Sequence, residues 1–328
     1  MTILITGATG FVGGAMLGAY AEAGEDFVAL TRRENDPHLT EQTKSHSNVR
    51  WAYGNIIKPD TLVALFEDVH TVIHAAGQLG AFNVSEEEYD AIHVDGTRNL
   101  LVSAAQSGID KFLHVSSCGV QGPTGKIPQT EDYPYNPSNP YEYSKMKAER
   151  LALNFAKEGL PVVVCRPDFL YGPYDLHVLG LFRAIADQRY LHIGGGRATC
   201  VPTYIDDCVT GIMLAVERGE IGEVYHITGQ QPVTFREMTQ AIANELKVTH
   251  PSLGLPTPFA YAAAAMCEFV FPLVGGTPPL TRGAVEFFGN DHQFSYEKAS
   301  RLLGYQPQTG LDEGVAKTIA WYRENGLI

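Results

Sequence analysis

The chain has 328 residues, 45% of them apolar, enough to bury a sizeable core and too many for wholesale disorder. Its formal charge of −13 argues against nucleic acid as a partner, since that binding rests on clustered Lys and Arg. A phosphate-bearing small molecule stays open, because backbone N–H groups at a helix start hold phosphate without side-chain charge. Five cysteines, at 118, 165, 200, 208 and 267, form no C-x-x-C pair and meet no histidine at zinc-like spacing. They read as reduced thiols of a cytoplasmic protein with no metal site. Met1 runs almost directly into an apolar strand, leaving no room for a signal peptide.

Short apolar runs alternate with helical stretches through the first half, the pattern of a parallel sheet covered by helices. In chain order, Ile3–Ile5 reads as a strand, Phe11–Ala23 as a helix, Phe27–Leu30 and Val49–Tyr53 as strands, and Asp60–Phe66 as a helix. Val69–Ala75 then reads as a strand, Glu86–Ser107 as a helix, Lys111–Val115 as a strand, Pro140–Glu158 as a helix and Pro161–Cys165 as a strand. Repeated right-handed crossovers of this kind give an α/β fold, a doubly wound parallel Rossmann sheet over residues 1–166. After Arg166, Pro and Gly become frequent. Residues 167–328 read mainly as a smaller substrate lobe, with a return to the sheet near 201–228 and a closing helix over Leu311–Asn325. The apolar stretch Phe259–Val274 is too short to span a bilayer, carries Glu268 and has Pro258 and Pro272 near its ends. It is expected to be a buried helix of the lobe; the alternative is a surface helix in peripheral contact with lipid.

Thr6–Gly13 follows the first strand and opens a helix. Gly7 suits a tight turn, Gly10 a close backbone approach to pyrophosphate, and Gly13 close packing of helix on strand. Thr9, Phe11 and Val12 complete the phosphate loop. The second strand ends at Thr31-Arg32-Arg33, where enzymes that prefer NAD usually carry an acid for the ribose hydroxyls. Guanidinium groups suit a 2′-phosphate, so NADP(H) is favoured over NAD(H).

Tyr141-Glu142-Tyr143-Ser144-Lys145 places a phenol and an ammonium at i and i+4, on one helix face. A free tyrosine, with a pKa of about 10, is a poor base near neutrality, and a neighbouring cation stabilises its phenolate. The pattern alone is weak: Tyr143 and Lys147 repeat it on another face of the same helix.

Context selects between the copies. The order of motifs resembles the extended short-chain dehydrogenase/reductases, the family that includes NAD-dependent epimerases and dehydratases and 3β-hydroxysteroid dehydrogenases. The resemblance covers nearly the whole chain. It rests on Thr6–Gly13, Val72–Gly77, Val115–Gly122, Tyr141–Lys145, Arg166-Pro167 with Tyr171-Gly172-Pro173, and Tyr204–Asp207. By that similarity Tyr141 is the general acid/base, Lys145 holds the cofactor ribose and lowers the phenol pKa, and Ser117, rather than Ser116, contacts the reacting oxygen. The resemblance also implies cofactor contacts from Asn55, Ile56, Ala75, Ala76, Gly77 and Pro167, and a homodimer built on the helices Glu86–Ser107 and Pro140–Glu158. Two departures stand out. His93 occupies the place of an asparagine that supports a proton relay, where it either holds a relay water or packs within its helix. Asn55 replaces an aspartate on the adenine side.

The substrate is a small molecule. Phe169 stands where nucleotide-sugar enzymes of the family carry an asparagine, and Cys200 where they carry a diphosphate-gripping arginine. With Gln78, Ser117, Cys118 and Asp168, these two are the expected substrate contacts, and they favour an apolar ligand. Alcohol–ketone oxidoreduction of the sterol or dihydroflavonol type is the expectation. A nucleotide-sugar epimerase or dehydratase is the alternative, and a non-catalytic NADP sensor a third reading.

Overall fold

Alternation along β1 (Thr2–Thr6) decides what each face of the sheet receives. Ile3 and Ile5 share a core with Met16, Leu17 and Tyr20 of α1 (Phe11–Glu22), while Leu4 joins Val72, Leu100 and Leu101 on the other side. The computed structural model describes residues 2–32, 48–80, 83–273, 276 and 278–328. Arg33 and Val274, named above, lie outside the described residues.

The sheet continues with β2 (Phe27–Thr31), β3 (Val49–Tyr53), β4 (Val69–His74), β5 (Lys111–Val115) and β6 (Val162–Pro167). Beyond β6 come the two-residue strands β7 (Leu170–Tyr171), β8 (His192–Ile193), β9 (Thr199–Cys200) and β10 (Thr203–Tyr204), then β11 (Val224–Ile227). The main sheet has seven parallel strands in the order β11-β6-β5-β4-β1-β2-β3. Strand order reverses between β1 and β4, and the crevice at such a switch point is where ligands of open α/β sheets bind. The short strands pair outside this sheet, β7 with β10, and β9 and β8 with Val233–Thr234 and Gly254–Leu255 respectively. The helix Ile205–Arg218 returns to the sheet against α1 and β6, and Leu311–Glu324 closes the chain against Phe235–Leu246.

Three expectations are corrected. Asp60–Phe66 forms two 3-10 turns, Pro59–Thr61 and Val63–Phe66, because Thr61 Oγ1 bonds to the carbonyls of Asn55 and Lys58 and competes with an α-helical ladder. Glu86–Ser107 is helical throughout but not uniform: α2 (Glu86–Asp90), opened by a Ser85–Glu88 capping box, passes through a π-helical turn at Ala91–Asp95 into α3 (Gly96–Ser107). The apolar helix Thr257–Leu273 is not buried. Only Ala260 and Ala264 are sealed, while Phe259, Met266, Phe269 and Leu273 are exposed, so it is a surface helix resting on its small residues.

Candidate active site

Two loops meet at the switch point. Gly7 has φ +75°, and a Cβ there would collide with the backbone of Ala75 and Ala76; a Cβ on Gly13 would overlap the Gly7 carbonyl. The glycine loop is thereby pressed against the loop after β4. Gly10 is the N-cap of α1 and no side chain caps that terminus, so its first N–H groups remain for an anion. The arrangement fits a dinucleotide: Gly7–Gly13 at the pyrophosphate, exposed Arg32 at the end of β2, and Ala75–Gly77 after β4. Thr6, His74 and Thr97 brace it from beneath, with His74 Nδ1 2.7 Å from Thr6 Oγ1 and Nε2 2.9 Å from Thr97 Oγ1. Burial holds that imidazole neutral, its pKa lowered to about 3. On the adenine side, Asn55 Oδ1 accepts from the Ile57 amide, and Asn99 Nδ2 donates to the Ile56 carbonyl at 2.8 Å.

The helix α4 (Pro140–Lys157) starts where its sequence directs: Asn139 Oδ1 accepts from the Glu142 amide at 3.0 Å, and Pro140 takes the first helical position. Tyr141, Ser144 and Lys145 face inward. Tyr143 is exposed and Lys147 pairs with Asp90 at the surface, which disposes of the second copy of the pattern. The Ser117 side chain acts on the Tyr141 phenol and lowers its pKa. Lys145 Nζ donates to the Val115 carbonyl at 2.7 Å, and burial brings its ammonium down to about 8. One expectation fails here: the phenol is not acidified. Burial pushes Tyr141 up to about 12, the Ser117 side chain pulls the other way, and Lys145 is not among the charges acting on it.

Adjacent serines are used differently. Ser117 Oγ lies beside Tyr141 and accepts from the Gly119 amide at 3.1 Å. Ser116 Oγ donates to Glu149 Oε2, and that carboxylate also accepts from Tyr135 and from Arg166 at 2.6 Å in a buried ion pair. Ser144 and Glu149 were missed as site residues. Ser144 was findable, because it is the serine of Y-x-x-S-K; Glu149 one turn on carries no local signal.

On the substrate side, Asp168 follows β6. One carboxylate oxygen, Oδ2, is buried without a hydrogen-bond partner, and burial raises the pKa of the group to about 7, with the Phe169 and Val201 backbones opposing that rise. Phe169 packs on Phe235 and Phe287 at ring separations of 6.5 and 5.3 Å. Gln78 is half-buried beside the cofactor loop. Cys118 and Cys200 are sealed from solvent, and Cys118 Sγ donates to the Arg166 carbonyl; in this conformation neither thiol is open to a ligand. Among the described residues no His, Cys, Asp and Glu group is placed to hold a metal ion, and no helix is long and apolar enough to cross a membrane.

This site and fold define a nicotinamide-dependent enzyme of the short-chain dehydrogenase/reductase type. The chain belongs to the NAD dependent epimerase/dehydratase family, which it matches over residues 3–228. It is 28% identical to the 2-alkyl-3-oxoalkanoate reductase of Stenotrophomonas maltophilia (strain K279a), over 97% of this chain and 98% of that one. It is 27% identical to the decarboxylating sterol-4-alpha-carboxylate 3-dehydrogenase of Mus musculus, over 96% and 89%. It is also 27% identical to the dTDP-glucose 4,6-dehydratase of Actinoplanes sp. (strain ATCC 31044 / CBS 674.73 / SE50/110), over 99% and 98%. Among solved structures, the UDP-glucuronic acid 4-epimerase of Bacillus cereus in complex with NAD shares the fold, with a TM-score of 0.81 at 23% identity over 99% of each chain.

Proposed function

We propose that the chain interconverts a secondary alcohol and a ketone on a comparatively apolar substrate, with NADP(H) preferred. The observation that carries this reading is the convergence of the Tyr141 phenol, the Ser117 side chain that acts on it and inward-facing Lys145 beside the switch-point crevice. A bound nicotinamide supplies or accepts the hydride; the chain's own part is the proton. Ser117 Oγ and Tyr141 Oη together hold the substrate oxygen. In reduction Tyr141 donates its proton there, and in oxidation it takes the proton back. A phenol raised by burial is a willing acceptor once deprotonated, and the Ser117 side chain, which pulls its pKa down, limits the cost of that phenolate. Gly7, Thr9, Gly10, Phe11, Val12 and Gly13 would hold the pyrophosphate, Asn55 and Ile56 the adenine side, and Ala75–Gly77, Tyr141, Lys145 and Pro167 the nicotinamide half.

The aromatic wall of Phe169, Phe235 and Phe287 supports an apolar ligand. Asp168 and Gln78 are left to receive its polar end. The names of two relatives point the same way: a 3-oxoalkanoate and a sterol 4-carboxylate each set a carboxylate one carbon from the reacting position. The dehydratase relative supports the nucleotide-sugar reading as the second possibility.

Absorbance at 340 nm separates them. Net NADPH oxidation with hydrophobic 3-oxo acids or ketosteroids is expected. Conversion of nucleotide sugars with no net change in cofactor would overturn the reading. Arg32→Ala should narrow the NADPH-over-NADH preference in kcat/KM by about tenfold, one lost phosphate contact being worth roughly that much. An unchanged ratio would remove Arg32 from the cofactor site.

A further inference from the structure

The π-helical turn Ala91–Asp95 carries His93, a ring only 2% exposed, into the space between the cofactor loop and α4. His93 Nε2 lies 2.9 Å from the Gln78 amide nitrogen and Nδ1 lies 2.7 Å from Ser144 Oγ. A backbone N–H can only donate, so Nε2 is the acceptor and Nδ1 carries the proton. Nδ1–H therefore donates to Ser144 Oγ, whose own hydroxyl donates to the Tyr141 carbonyl at 2.7 Å. The series runs in one direction from Gln78 through His93 and Ser144 to Tyr141, and both ring nitrogens are spent. A Cβ on Gly77 would stand 3.1 Å from Nε2, so the loop glycine is what lets the ring approach.

We propose that His93 and Ser144 form a neutral clasp that fixes the cofactor loop to the catalytic helix, making His93 a positioning residue for Tyr141 and not a proton relay. The groups facing the ring agree. Tyr89 stacks on it at 5.7 Å and Tyr141 meets it edge-on at 5.6 Å, while Lys145 and His74 oppose a positive charge there. Burial and those two neighbours lower its pKa to about 3, and protonation would also set an N–H against the Gln78 N–H.

Histidine-specific 15N labelling of the full chain tests the clasp directly, with the His93 signal identified by its loss in His93→Gln. The expected spectrum shows the Nδ1–H tautomer, unchanged between about pH 5.5 and 8. An Nε2–H tautomer, or a titration midpoint in that range, would overturn the proposal. The functional arm rests on the reading of Tyr141 as proton donor. A glutamine can accept from Gln78 N and donate to Ser144 Oγ, whereas a leucine of similar size can do neither. His93→Gln is expected to keep kcat within about threefold, and His93→Leu to lose about tenfold or more. Equal losses in both, or none in either, contradict the clasp. Isothermal titration of the wild-type chain with NADP+ and with NAD+ keeps the two ideas apart: absence of binding to both defeats the oxidoreductase reading, while the tautomer still decides the clasp.

Discussion

Ser116 and Ser117 follow the same strand, yet their hydroxyls face different neighbours, and single substitutions should separate them. Ser117→Ala removes the hydroxyl that acts on the Tyr141 phenol, and kcat should fall about 10²-fold with little change in stability. Ser116→Ala instead takes a donor from buried Glu149, so its effect should be read in denaturation, as a loss on the order of 1–2 kcal/mol. The opposite assignment of activity and stability would reverse the roles given to the two serines. Asp168 adds a pH dependence. Its folded pKa of about 7 lies above the unfolded value of about 3.9, so between these values the folded state holds a proton that the unfolded state has released. Stability is therefore lost as pH rises from about 4 to 7 and is level above that. Asp168→Asn should remove this slope, gaining about 4 kcal/mol at most above pH 7 in denaturation melts. Parallel pH profiles for the two proteins would show that the carboxyl is not held protonated.

At the scale of elements, the strands and α4 were legible because local signals agree with tertiary ones. Asn139, Pro140 and Glu142 announce the start of α4, and the apolar runs of β1, β2 and β6 become strands covered on both faces. The π turn was not legible. One widened turn changes neither hydrophobic period nor capping, yet it carries the His93 ring to Gln78 and Ser144, a placement that neither reading of its sequence position included. The helix Thr257–Leu273 misled for the converse reason: its composition is that of a core element, but Ala260 and Ala264 make the contact and the large side chains stay outside. The elements around the site are tied by Arg166 of β6 and Glu149 of α4, a pair buried to within 3% and 0% exposure. Arg166→Leu strands a buried carboxylate and should cost about 3–5 kcal/mol of unfolding free energy. A loss below about 1 kcal/mol would mean that Glu149 takes up a proton or finds water when its partner goes.

Over the whole molecule, the sequence discloses the nucleotide half far better than the rest. A parallel sheet must place its ligand at the switch point, so Gly7–Gly13, Ala75–Gly77 and Ser117 converge once strand order is known. Residues beyond β6 follow no such rule. Apart from β11, which joins the main sheet, their strands are two residues long, their pairings join distant segments, and the packed rings of Phe169, Phe235 and Phe287 are assembled across more than a hundred positions of chain. The proposed reaction centre sits where these halves meet, with Tyr141 as its proton donor. Tyr141→Phe in the full chain isolates that claim, since it deletes one oxygen and leaves the ring packed against His93 and Tyr89. Measured by stopped-flow absorbance alongside NADP+ titration, the variant should bind the dinucleotide within about threefold of wild type while kcat falls about 10³-fold. Turnover close to wild type, with binding intact, would contradict the account.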